Sequence, residues 1–266
     1  GSYALVVTDS NGCQISDSIT LIEPDSLSIA LSSTTNFNGY NVSCFGSSDG
    51  ALASAITGGV PSYTFSWTLN GQSTGSQNVL SGQPSGWHQL NVQDLNGCLT
   101  QDSIYLSQPD SLVTSSIITS DYNGVAISCF DSSDGSAAVQ VFGGVQPYQY
   151  TWNAGTPTVD STQSNLFAGL NIVLITDANN CNVTDSISLI GPDSLDYTSS
   201  ISDILCHGDA SGSVKIIPSG GVPSHTVQWA YQGLLADSIT NITQGVYSFV
   251  ITDLNGCQLE DSVEVM

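Results

Sequence analysis

Seven cysteines, a recurring aspartate and a recurring serine are the residues of this chain whose chemistry could carry a function. Four of the cysteines end near-copies of one hexapeptide: TDSNGC at 8–13, QDLNGC at 93–98, TDANNC at 176–181 and TDLNGC at 252–257. The other three, Cys44, Cys129 and Cys206, open the stretches CFGSSDG, CFDSSDG and CHGDASG. No C-x-x-C and no Cys/His pair has zinc spacing, so the thiols point to disulfides in an oxidising compartment. Pairing within repeats would join Cys44 to Cys98, Cys129 to Cys181 and Cys206 to Cys257, and leave Cys13 to a partner outside the segment. Staples between successive repeats, such as Cys98 to Cys129, and free thiols are the alternatives. Loops of this size imply about 4 kcal/mol per bridge in the chain-entropy picture.

The hexapeptide aspartates, Asp9, Asp94, Asp177 and Asp253, raise the question of calcium. Each turn offers only one carboxylate and no D-x-D-x-D-G loop occurs, so turn chemistry accounts for them and the expectation is no cofactor and no metal, with Ca2+ the one candidate. GSSDG at 46–50 fits the G-x-S-x-G pattern of a nucleophile elbow, but its counterparts break the pattern. His88, His207 and His225 stand at three different registers. No catalytic and no cofactor-binding residue is expected, and the chain reads as non-enzymatic.

The elements that must hold these residues repeat with them, at intervals of 85, 83 and 76 residues between hexapeptide cysteines. GGV recurs at 58–60, 143–145 and 220–222, and PDSL at Pro24, Pro109 and Pro192. Trp67, Trp152 and Trp229 each follow their loop cysteine by 23 positions and read as core residues rather than ligand platforms. The divisions are therefore the end of one repeat (1–23), then repeats at 24–108, 109–191 and 192–266. GSYALVVTDSNGC at the start aligns with GVYSFVITDLNGC at 245–257, so the segment reads as a window on a longer array. YALVVTD, HQLNVQD, NIVLITD and YSFVITD alternate apolar and polar side chains, as half-buried strands do. The predicted fold is all-β: a tandem array of immunoglobulin-like (PKD-like) β-sandwiches forming an elongated rod. In it, D-x-N-G-C turns the last hairpin of each sandwich, and the PDSL joint is short and stiff.

Composition excludes several partners. One lysine against 23 acidic residues gives a net charge of −22, which repels nucleic acid and anionic lipid. No apolar run reaches the 18 or so residues of a membrane helix.

The order C-x-G-x-x-D-G, GGV-x-x-Y-x-F/Y-x-W, TD-x-NGC resembles the SprB-type repeat of giant surface adhesins in gliding Bacteroidetes, across all three repeats and the leading fragment. The resemblance implies an extracellular, cell-surface location, export by type IX secretion, and a role as the shaft of an adhesin or filament used for attachment, gliding or cell–cell contact. An alternative is that the repeats themselves bind glycans or a surface. Implied partners are further copies of the repeat in cis, a lateral homo-oligomer in a fibre, and a surface or cell target outside this segment. The departures are His225 for Tyr63 and Tyr148, Ser211 for Asp49 and Asp134, and Asn180 for the turn glycine. The resemblance also lends meaning to Asp-Ser-aliphatic, which occurs eight times, because in that group the pattern accepts O-linked glycan. The serines concerned are Ser18, Ser26, Ser103, Ser111, Ser186, Ser194, Ser238 and Ser262. The plainer reading is that Asp-Ser precedes an inward-facing residue at a strand start.

Overall fold

A computed structural model describes residues 1–266, in two compact bodies, Gly1–Ser111 and Leu112–Met266. The first body opens with a hairpin of β1 (Ser2–Thr8) and β2 (Gln14–Thr20). Repeat one follows with β3 (Ser28–Ser33), β4 (Gly50–Thr57), β5 (Thr64–Leu69), β6 (Gln72–Gly75), β7 (Val79–Gln83), β8 (Gly86–Gln93) and β9 (Leu99–Leu106). These make two sheets, β3-β4-β7 and β6-β5-β8-β9. Val42, Leu52, Trp67, Leu90, Val92 and Leu106 are sealed between them.

The second body contains two such sandwiches. Repeat two has β10 (Val113–Ile118), β11 (Gly135–Phe142), β12 (Gln149–Trp152), β13 (Thr162–Leu166), β14 (Gly169–Thr176) and β15 (Asn182–Leu189). Repeat three has β16 (Asp196–Ser202), β17 (Gly212–Ser219), β18 (Thr226–Trp229), β19 (Ser238–Ile242), β20 (Gly245–Thr252) and β21 (Gln258–Val265). The sheets are β10-β11-β13 with β12-β14-β15, and β16-β17-β19 with β18-β20-β21. Each pair closes over its own apolar cluster, one around Trp152 and one around Trp229. The chain is thus all-β, a tandem of immunoglobulin-like sandwiches, and the predicted core role of the three repeated tryptophans holds.

The alternation read from sequence becomes register. In β20, Tyr247, Phe249 and Ile251 are buried while Val246 and Ser248 face out. The last hairpin pairs identically in every copy: Leu5 lies opposite Asp17, Leu90 opposite Asp102, Val173 opposite Asp185, and Phe249 opposite Asp261. A one-residue slip would turn each buried row to solvent, which fixes this pairing. No helix is long and apolar enough to cross a membrane.

Candidate functional site

The hexapeptide forms the predicted hairpin turn, and its aspartate closes it. In repeat three, Asp253 Oδ1 accepts from the backbone N–H of Asn255 (2.9 Å) and Cys257 (2.8 Å), and Oδ2 from Val222 N–H (2.8 Å) of the GGV triplet. Asp94 takes Asn96, Cys98 and Val60 in the same way, and Asp177 takes Asn179, Cys181 and Val145. All three carboxylates are buried. The oxygens of each therefore accept from three backbone amides. Those bonds, Val60 foremost, hold the Asp94 carboxyl below the usual carboxylate range.

Close packing explains the glycines. Gly220 sits at φ +70°, and a Cβ there would lie 1.8 Å from the carbonyl of Ser194 in PDSL; at Gly58 it would lie 2.1 Å from that of Ser26. PDSL, GGV and the turn are consequently one corner, with Gly221 N–H donating to Asp193 O (2.9 Å) and Leu254 N–H to Val222 O (3.0 Å). The three departures keep the geometry. His225 Nε2 stands 2.8 Å from Gly220 O and must donate to it, as Tyr63 Oη donates to Gly58 O and Tyr148 Oη to Gly143 O. Ser211 Oγ accepts from Leu205 N–H, as Asp49 and Asp134 do from Ser43 and Ser128. Asn180 adopts a positive φ (+65°), as Gly97 and Gly256 do in the other turns.

The pairing of cysteines within repeats is corrected. Cys129 bonds Cys257, with Cα atoms 5.7 Å apart, joining repeat two to repeat three. Cys98 and Cys206, expected in bridges, are free and exposed, as is Cys13; Cys44 and Cys181 are disulfide-bonded. The reason is the length of the last strand. The turn cysteine immediately precedes that strand, whereas the loop cysteine lies beside its far end, where Asn41 and Val42 donate to Ser107 O, Ala126 to Ile190 O and Ile204 to Met266 O. Eight residues of strand separate the two ends by about 26 Å, while a disulfide needs Cα atoms within about 7 Å. A loop cysteine can only reach a turn on a neighbouring repeat. The staple class weighed from the sequence is the one formed, with different partners from the Cys98 to Cys129 example.

Beside the bridge lies the contact that sequence reasoning missed. Asn255 Nδ2 donates to Ser128 O (2.8 Å) and Tyr122 O (3.2 Å), and its Oδ1 accepts from Asn123 Nδ2 (2.6 Å). The signal was present: an asparagine occupies this place in all four hexapeptides, at 11, 96, 179 and 255. D-x-N-G-C thus has two halves, an aspartate that clamps the turn to its own repeat and an Asn/Cys pair that grips the repeat before. A cleft of about 230 Å³ beside the joint is lined by Phe130, Leu195 and Leu259 together with the bridge.

The Asp-Ser motifs lie outside the joint's hydrogen bonds. All eight serines are exposed, and the next residue is buried or half-buried everywhere except at Ile19, in the hairpin that no second sheet faces. In repeat two, Asp185 accepts from Ser116 Oγ (2.7 Å), and in repeat three Asp261 accepts from Tyr197 Oη (2.8 Å), tying one sheet to the other. Buried His88 bonds Pro84 O through Nε2, where repeats two and three use Asn171 and Tyr247.

The SprB repeat family model matches residues 37–76, 125–157 and 198–230. The three segments are thus similar to SprB repeats. Each matched segment contains the loop cysteine, GGV and the core tryptophan, while the D-x-N-G-C turn falls outside it. Among solved structures, the three N-terminal domains of the Hoc outer capsid protein of bacteriophage RB49 align over 90% of this chain and 95% of that one, at 15% identity and a TM-score of 0.40. A Ca2+-stabilised adhesin with which an Antarctic bacterium binds ice aligns over 100% and 80%, at 12% identity and a TM-score of 0.41. The eight N-terminal Ig domains of Down syndrome cell adhesion molecule align over 100% and 51%, at 11% identity and a TM-score of 0.29. No curated protein matches by sequence.

Proposed function

We propose that this segment is part of the shaft of a large extracellular adhesin or surface filament, exported by the type IX route and used for attachment, gliding or cell–cell contact. The observation that carries the reading is the joint: Cys129–Cys257 and the Asn255 contacts fasten one repeat to the next, as a tether under tension requires. What the repeats share, namely the loop and turn cysteines, GGV, tryptophan and turn aspartate, serves the scaffold, while outward side chains and loops differ. The binding head then lies elsewhere in the protein, and the −22 charge opposes collapse of the array on itself. An in-phase deletion of residues 109–191 should shorten the appendage and leave attachment intact. Loss of attachment with normal export and normal length of the remainder would contradict the shaft reading.

A second reading, that the repeats hold glycan, is favoured by one feature. Trp87 and Tyr105 are 62% and 51% exposed and lie directly opposite across β8 and β9 with ring centroids 5.4 Å apart, and further along the same two strands Gln89 donates to Gln101. Stacking rings suit a neutral sugar face. Repeats two and three put Leu170 with Ser188 and Val246 with Glu264 at that place, so any such site belongs to repeat one. Retention on a neutral polysaccharide that Trp87→Ala abolishes would establish it.

A further inference from the structure

We propose that the loop around Cys206 is a docking site for the D-x-N-G-C turn of another copy of this repeat, placed next along the array, and that the two close with a disulfide. The inference deepens the shaft reading and rests on it. Its warrant is a comparison of two loops in one body. Around Cys129, Ser128 N–H donates to Asp134 Oδ1 (3.1 Å) and Ser132 N–H to Cys129 O (3.1 Å), and the loop hangs from the end of β15 by Ala126 N–H to Ile190 O (2.8 Å). Around Cys206, Leu205 N–H donates to Ser211 Oγ (2.9 Å) and Asp209 N–H to Cys206 O (3.0 Å), and Ile204 N–H to Met266 O (3.1 Å) hangs the loop from the end of β21. The two bonds within the loop correspond residue for residue, and the bond that hangs it from the last strand starts three residues before Cys129 but two before Cys206. The first loop holds a turn, through its cysteine and the Ser128 carbonyl. The second presents the matching groups, Cys206 and the Leu205 carbonyl, with the cysteine free and Leu205 83% exposed.

The complementary half is also present on this chain. The turn of repeat one keeps its Asp94 clamp and so the shape of the Asp253 turn, yet Asn96 and Cys98 are exposed and Cys98 is free. In this scheme loop cysteines bond forward and turn cysteines bond backward. Cys206 then takes the turn cysteine of a following copy, and Cys13 and Cys98 take loop cysteines of preceding ones, which accounts for all three free thiols. One tier of the cradle differs. Repeat three runs from Ser202 to Cys206 without the Asp121–Val125 hairpin, so Tyr122 O and Asn123 have no counterpart there. The joint at Cys206 therefore depends more on its covalent bond than the joint at Cys129 does.

Bond formation needs an oxidant, and a low-molecular-weight disulfide suffices. The Cys206 thiolate attacks oxidised glutathione and expels one glutathione thiolate. The incoming turn thiolate then attacks the Cys206 sulfur of the mixed disulfide and expels the second. Two protein thiols become one disulfide, one oxidised glutathione becomes two reduced, and the two protons pass to the released thiolates.

The test appends a second copy of residues 192–266 after Met266, its own loop cysteine changed to serine (Cys206→Ser) and its turn marked by Leu254→Val so that its peptides are distinct in mass, oxidises the product in a glutathione buffer, alkylates free thiols and maps cross-linked peptides. Expected is a Cys206 peptide joined to the turn cysteine of the appended copy, and loss of Cys206 alkylation relative to the chain without the extension. Replacing the appended turn cysteine with serine should restore that alkylation. Cys206 alkylated as fully in the extended chain as in the original, in a sample whose Cys129–Cys257 bond has formed, would overturn the inference and leave the shaft reading standing. Absence of the Cys129–Cys257 bond in that sample would overturn the joint itself.

Discussion

The turns at Asp94–Cys98 and Asp253–Cys257 are built alike and used differently. Both carboxylates accept the same three backbone amides, both turn glycines sit at φ between +84° and +88°, and both lead into an eight-residue final strand. Yet Asn255 and Cys257 grip the preceding repeat, while Asn96 and Cys98 stand exposed. The difference teaches that the aspartate belongs to folding and the Asn/Cys pair to assembly. The copy at 252–257 carries both roles in one hexapeptide.

The largest effect should come from breaking the folding half. Asp253→Ala leaves three backbone donors without an acceptor at a buried corner, so repeat three should lose about 3 kcal/mol or more. Chemical denaturation followed through Trp229 measures this, and a loss as small as that of a surface mutation would deny the clamp. Next comes the assembly half. Asn255→Ala should leave the unfolding of repeat three nearly unchanged but, with the bridge reduced, raise hydrogen exchange at the joint, on a scale of about 1–2 kcal/mol for the lost contacts.

Acid should act in the same direction on several groups. The folded values of Asp94, Asp185 and Asp261 lie below the usual carboxylate range, through the Val60 amide, the Ser116 hydroxyl and the Ser262 amide respectively. Their contribution is complete above the unfolded value of about 4 and is lost as pH falls through the lower folded values. Unfolding midpoints should hold steady from pH 7 to about 5 and drop only below about 4. The smallest expected effect is that of calcium. EDTA should leave the melting temperature unchanged, and a fall reversed by calcium would mean that the turn carboxylates exchange their amides for metal.

Much of this was legible before any coordinates. Alternation fixed the strands, Asn-Gly fixed the turns, and the spacing of Cys, GGV and Trp fixed the repeats. What misled was treating the cysteines as a set to be paired rather than as points on a strand ladder. Cys206 and Cys257 share a repeat, but the whole of β21 lies between the ends they occupy. The length of QLEDSVEV after the turn, and of its counterparts in the other repeats, already argues against that bridge. The grip of Asn255 was harder to read, since Asn in a reversing turn is explained by positive φ alone. Its side chain is used only because a neighbour's carbonyls are there to receive it. The role of His225 was likewise hidden, because imidazole and phenol look unlike in a sequence yet reach the same carbonyl.

The central claim, that the turn of one repeat is fastened to the loop of the repeat before it, is tested most directly by peptide mapping under non-reducing conditions after thiol blocking. The account predicts a Cys129-containing peptide joined to a Cys257-containing peptide as the main species, with Cys206 recovered alkylated. A Cys206–Cys257 peptide as the main species would place the bridge within one repeat and contradict the account.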